Sequence, residues 1–251
     1  MLIRNAQIET FQEAALRRFE DEMVAHSREF TPRLCELLGE EQLRLAVRQA
    51  MERADTFGFT NKGPIRLYIE LMFLCGSDFD TDPQYVALGE ILRASADQME
   101  RAQDLHERIG DYLDTVAGPD NANVNRALRE LSNFARTTLR FSSHDFVPGL
   151  LREMNRIFPE KVDYVGEAGL NQLINEGIAE APKYGFAEVR QHTLIVVLMF
   201  AFGHGCTHDP LYPWISRTLQ DEKIVDPAAR AERLEKKART WLDHVVAGHQ
   251  G

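Results

Sequence analysis

At 251 residues the chain is long enough to bury a substantial core in one large domain or two small ones, and 44% hydrophobic with 27% charged residues argues against extended disorder. The formal charge of −10 is spread along the chain and opposes binding to phosphate backbones or anionic membranes, so neither a nucleic acid nor a membrane is an expected partner. Three cysteines without regular spacing, Cys35, Cys75 and Cys206, exclude a disulfide framework, and a start lacking the basic, apolar and small-residue parts of a signal peptide points to a cytoplasmic protein.

In chain order, Ile8, Phe11, Ala15, Phe19 and Met23 recur at three and four residues, as do Leu43, Val47, Met51 and Ala54, and both stretches predict amphipathic helices. From Ile65 to Cys75 apolar residues surround the whole helix, which predicts a buried core helix. Gly118-Pro119-Asp120-Asn121 is a cluster of turn formers and reads as a linker. Arg126, Arg129, Arg136 and Arg140 are spaced like the solvated face of a helix. Thr193 to Phe202 predicts a second buried helix; its longest apolar run, Leu194 to Phe202, would rise only about 14 Å, too little for the roughly 30 Å of a bilayer core. A last helix carries Leu234, Ala238, Trp241 and Val245, preceded by Asp226-Pro227, an N-cap carboxylate followed by proline. No alternating strands of useful length occur, so the fold class is all-α.

Comparison of the chain with itself at an offset of 127 aligns Pro32 through Leu92 with Pro159 through Leu219 without a gap, and 16 of the 61 columns are identical. They pair Gly39-Glu40 with Gly166-Glu167, Gly58-Phe59 with Gly185-Phe186, Leu71-Met72-Phe73 with Leu198-Met199-Phe200, Gly76 with Gly203, and Asp82-Pro83 with Asp209-Pro210. Tyr112-Leu113-Asp114 matches Trp241-Leu242-Asp243 after a two-residue shift. Duplication accounts for this, and predicts two tandem, diverged helical repeats packed as a bundle: unit one at 1–117, a linker at 118–123 and unit two at 124–251. The four paired glycines Gly58, Gly185, Gly76 and Gly203 are read as left-handed helix caps, and Asp82 and Asp209 as N-cap carboxylates.

One cluster offers chemistry. His204, Cys206, His208 and Asp209 place two imidazoles, a thiol and a carboxylate within six residues after a buried helix, ligand types that zinc accepts. Their spacing matches no common zinc signature, and unit one holds Ser77, Phe79 and Thr81 in the columns of His204, Cys206 and His208, so a structural loop is the preferred reading over a metal site. His192 reads as a hydrogen-bonded boundary residue, and Glu70, inside the first buried helix, as a carboxylate facing an arginine or solvent. No phosphate loop, nucleophile elbow or His-Glu-x-x-His pattern occurs. No catalytic residue and no cofactor is predicted.

The segment Asn61-Lys62-Gly63-Pro64-Ile65-Arg66-Leu67-Tyr68-Ile69-Glu70-Leu71-Met72-Phe73, continuing through Gly76 and Phe79-Asp80-Thr81-Asp82-Pro83, resembles poorly characterised bacterial proteins encoded beside type VI secretion genes for spike and tip (VgrG and PAAR) and toxin components. The likeness covers mainly unit one, and unit two departs from it most in the His204 to His208 loop. The resemblance supplies the context, and together with the absence of catalytic motifs it leads to the expectation of a non-catalytic helical adaptor or chaperone for a secreted effector or tip protein. Two alternatives stay open: an immunity protein that neutralises a cognate toxin, and an enzyme or toxin, either metal-dependent through the His204, Cys206 and His208 loop or using Glu70. Binding residues are sought in the paired loops, at Ser77, Asp78, Asp80, His204 and His208, because loops at helix ends can present a composite surface.

Overall fold

The computed structural model describes residues 5–136 and 145–247, with side chains over 13–136 and 145–246. Among these residues there are eleven α-helices and no strand, so the fold is all-α. The first half holds α1 (Asn5–Phe30), α2 (Pro32–Thr56), α3 (Lys62–Cys75), α4 (Val86–Arg93) and α5 (Gln98–Tyr112). A π-turn at Leu113–Ala117 and a short 3-10 turn at Pro119–Asn121 lead into α6 (Ala122–Phe134), where Asp120 and Asn121 both take positive φ, as expected of turn formers. The second half continues with α7 (Phe146–Ile157), α8 (Pro159–Glu180), α9 (Val189–Phe202), α10 (Pro213–Leu219) and α11 (Pro227–Ala247).

Helices α3 and α9 are the centres of the two halves, as their all-round apolar sequences require. Tyr68, Ile69, Leu71 and Met72 on α3 and Ile195, Val196, Leu198 and Met199 on α9 are all buried in one continuous core that runs through both halves. Each such side chain contributes roughly 1.5–3 kcal/mol on leaving water, enough that these helices need little intrinsic propensity. Among the described side chains of α1, Ala15 is exposed, Phe19 is part-buried, and Met23 and Val24 lie in the core; Ile8 and Phe11 lie outside the described side chains.

One pair of matched glycines adopts the same backbone. Gly39 kinks α2 at φ 73°, ψ 168°, and Gly166 kinks α8 at φ 73°, ψ 166°. With an offset of 129, Asp97 Oδ1 accepts from the Met99 amide at 2.8 Å and Asp226 Oδ1 from Ala228 at 3.2 Å, each at the start of its half's last long helix. Arg101 and Arg230, at the same offset, both donate to backbone carbonyls, but to unmatched ones, Leu92 at 2.6 Å against Tyr184 at 2.9 Å and Ile224 at 2.6 Å. The expected Asp226 cap is therefore present.

Two expectations are corrected. Asp82 and Asp209 are not N-caps: α4 begins at Val86 and α10 at Pro213, several residues later, and both carboxylates are buried. Gly76 and Gly203 do end their helices, but at φ 99°, ψ 158° and φ 96°, ψ 153°, an extended positive-φ conformation and not the left-handed cap. The cause in both cases is contact between the halves. A Cβ on Gly76 would stand 2.7 Å from the Phe202 carbonyl and 3.3 Å from Gly203 Cα; one on Gly203 would stand 2.9 Å from the Cys75 carbonyl and 3.4 Å from Gly76 Cα. Two backbones touch where any side chain would hold them apart.

Candidate functional site

The loops after α3 and α9 meet at this glycine contact and are fastened reciprocally. Asp82 Oδ2 accepts from the His204 amide at 2.7 Å, and Asp209 Oδ2 accepts from the Ser77 amide at 2.9 Å. The second oxygen of each carboxylate closes its own turn, Asp82 on the Gln84 amide at 2.8 Å and Asp209 on the Leu211 amide at 2.7 Å. All four contacts relate matched columns of the sequence. Burial pushes the Asp209 carboxyl up to about 6, with the Ser77 and Leu211 amides working against that rise, and burial likewise raises Asp82. The aspartates kept in both halves therefore cross-link the molecule.

Outside this lock the loops form a surface depression of about 420 Å³ whose lining includes Asp78 and Thr81 from the first half and Glu176, Glu180, Lys183, His204 and His208 from the second. Asp78 Oδ2 pairs with His208 Nε2 at 2.9 Å, and each charge stabilises the other: the imidazole beside Asp78 holds its carboxyl below the usual range, and Asp78 raises His208. His204 bridges the halves, with Nε2 at 3.1 Å from Thr81 Oγ1 and Nδ1 at 3.0 Å from Glu176 Oε2. Burial opposes ionisation of Glu180, but Lys183, Tyr184 and Thr207 outweigh it and lower its carboxyl. Three carboxylates thus share the depression with one lysine and two histidines.

The predicted residues separate into two groups. Asp78, His204 and His208 come together in the depression, and Ser77 takes part through its backbone amide. Asp80 does not join them: its side chain is fully buried on the far side of the loop, where Arg53 Nη2 donates to it at 2.6 Å and Nε at 3.1 Å. Its partner is foreshadowed in the sequence, because the matched columns of Arg53 and Asp80 hold Glu180 and Thr207, which are hydrogen-bonded at 3.1 Å.

As a metal set, His204, Cys206, His208 and Asp209 diverge. His204 turns to Glu176, His208 to Asp78 and Asp209 to backbone amides, while Cys206 is fully buried with its thiol pushed well above the usual range by burial. Among the described residues no three histidine, cysteine or acidic side chains are placed to share an ion. The geometry offers a different chemistry. Thr81 hydroxyl, His204 imidazole and Glu176 carboxylate stand in the order of a nucleophile, a base and the group that orients it. Thr81 is, however, a hindered secondary alcohol, and its hydroxyl is also 3.2 Å from the Asp78 carbonyl, a competing acceptor for the same proton.

The remaining candidates occupy structural places. Glu70 accepts from Arg66 Nε at 3.0 Å and lies 2.7 Å from His26 Nε2, and His192 Nε2 lies 3.1 Å from the Phe186 carbonyl. Of the arginine series, Arg126 pairs with Glu160 and Arg136 with Asp243, Arg129 is exposed, and Arg140 lies outside the described residues. Sequence reasoning missed Lys161, which is fully buried, donates to the Phe200 carbonyl at 2.7 Å, and lies over the Tyr85 and Phe200 rings. It satisfies a carbonyl at the C-terminal end of α9, and burial lowers its ammonium to about 8. It also missed a cavity between α6, α9 and α11, although the replacement of Glu70 by Val197 in the matching column was a signal.

No protein-family model, no curated protein and no solved structure matches this chain. Among the described residues no single helix is long and apolar enough to cross a membrane.

Proposed function

We propose that the protein is a non-catalytic helical adaptor or chaperone that holds a type VI secretion effector or spike-tip protein, with a basic segment of that client docked on the depression between the paired loops. One observation carries this reading: the surface is built from both halves at once, and its three carboxylates, Asp78, Glu176 and Glu180, outnumber its cations, Lys183 paired with Glu180 and the His208 imidazole paired with Asp78. An acidic patch on a chain of net charge −10 steers a basic client toward it. The buried thiols support a binding role, since Cys75 is pushed up to about 12 and Cys206 also rises, leaving neither as a thiolate nucleophile.

Co-expression with the neighbouring effector and tip genes, followed by affinity purification, tests the proposal. A stable complex that weakens with salt and is lost in the Glu176→Lys, Glu180→Lys double variant is the expected result. Absence of any complex, or one indifferent to both substitutions, would overturn it. The same strains separate an adaptor from an immunity protein: deletion abolishes delivery in the first case and poisons the cell in the second.

A second reading, a hydrolytic enzyme or toxin using the His204 loop, draws on the Thr81, His204 and Glu176 chain of contacts. It predicts growth arrest on expression in a naive host, abolished by His204→Ala and by Thr81→Val. Normal growth together with no hydrolysis of p-nitrophenyl acetate removes it.

A further inference from the structure

The cavity between α6, α9 and α11 encloses about 480 Å³ and has two chemical characters. Its floor is hydrocarbon, from Leu131 and Phe134 on α6, Leu194, Val197 and Ala201 on α9, and Leu242 on α11. Its rim is cationic. Arg136, Arg190, Lys236 and Arg239 stand there against Glu232 and Glu235. Arg190 is bound by Glu235 at 2.6 Å and Arg136 by Asp243 at 2.7 Å, whereas Lys236 and Arg239 have no ion-pair partner among the described residues. With Glu232 the rim's remaining acid, the mouth keeps an excess of positive charge over an apolar floor, on a chain whose net charge is −10.

The internal match shows that the fold does not require this floor. In the first half the columns of Thr193, Val197 and Ala201 hold Arg66, Glu70 and Leu74, and that face of α3 carries the Arg66–Glu70 pair at 3.0 Å and the His26–Glu70 contact at 2.7 Å. A helix in this position thus packs its core with charges on its outer face. The second half instead carries valine and alanine there, part-buried against the cluster of Leu131, Phe134, Ile157 and Leu242 and bordering the cavity. A mostly apolar pocket with a few polar groups at its mouth is the usual form of a small-ligand site.

Size decides the kind of ligand. At about 480 Å³ the cavity falls in the roughly 300–1,000 Å³ range of small-ligand pockets, with room for one alkyl chain. We propose that this cavity binds a single-chain anionic amphiphile of the fatty-acid class, with the alkyl chain against Leu194, Val197 and Ala201 and the carboxylate at Lys236 and Arg239. The site is separate from the loop depression, and loss of client binding would leave it intact.

Isothermal titration of the full chain with dodecanoate, below its critical micelle concentration, tests this against dodecyltrimethylammonium, which has the same chain and the opposite charge. Saturable binding of one dodecanoate and at least about tenfold weaker binding of the cation are expected, the difference that about 1.4 kcal/mol produces. Val197→Glu, which installs the acid of the matching column, and Ala201→Trp, which fills the space, should each abolish the binding while the thermal melt is kept. No saturable dodecanoate binding, equal binding of the cation, or binding that survives both α9 variants would overturn the proposal. Should those variants fail to fold, the surface pair Lys236→Gln, Arg239→Gln decides: a severalfold loss of dodecanoate affinity supports the site, and unchanged affinity sinks it.

Discussion

The outer face of α3 and the outer face of α9 occupy the same columns of the chain's internal match, yet one is closed by Arg66, Glu70 and His26 and the other opens Val197 and Ala201 onto a cavity. The inner faces behave in the opposite way. Gly76 and Gly203, Asp82 and Asp209, and the Leu-Met-Phe triplets are the same residues in both halves. Identity is concentrated where the two halves touch and build the core, and divergence where the surface is free to specialise. Function is accordingly to be sought in columns that differ, such as those of His204, His208 and Val197.

The sharpest way to break this comparison is to disturb a shared column. Gly76→Ala or Gly203→Ala combines a positive φ with a Cβ placed under 3 Å from a carbonyl oxygen of the other half. Each should cost at least about 3 kcal/mol and yield little folded protein, measured by urea denaturation or soluble yield. Tolerance of either change would mean that the halves do not meet as described.

Removing one buried carboxylate comes next. Asp82→Ala leaves the His204 and Gln84 amides without acceptors and Asp209→Ala does the same to Ser77 and Leu211, so each should destabilise by roughly 2–4 kcal/mol and by similar amounts. Widely unequal losses would show that the reciprocity is geometric only.

Titration sharpens the comparison further. Folding raises the Asp209 carboxyl from near 4 to about 6, so the folded state holds that proton more tightly. The contribution is greatest below the ordinary value and is lost as pH rises through about 6. Relative to Asp209→Asn, the unaltered chain should gain about 2 kcal/mol of unfolding free energy as pH falls from 7 to 4. A flat difference would remove the argument that burial governs this group.

The smallest effects belong to the divergent columns. His208→Gln removes a partly exposed ion pair with Asp78 and should cost under about 1 kcal/mol, while in the unaltered chain the His208 ring protons should titrate above the range of a free histidine in NMR spectra. Glu70→Val, which gives α3 the residue of α9, should also change stability by less than about 1 kcal/mol, since the face it alters is only part-buried. A large loss there would mean that the first half depends on its ion pairs as much as on its core.

What the sequence settled by itself was local. Three- and four-residue apolar spacing located α1, α2 and α11, an apolar surface all round located α3 and α9, Asp226-Pro227 marked the start of the last helix, and Gly118 to Asn121 marked the turn that leads into α6. These signals reside in neighbouring residues, because helix periodicity, caps and turns are satisfied within a few positions along the chain. Only the tertiary structure decided how the recurring aspartates and glycines are used. The partner of Asp82 is the amide of His204, 122 residues away, and that of Asp209 is the amide of Ser77, 132 residues away. A backbone amide leaves no mark in the sequence, so an aspartate that caps a helix and one that joins two halves read alike until the halves are brought together.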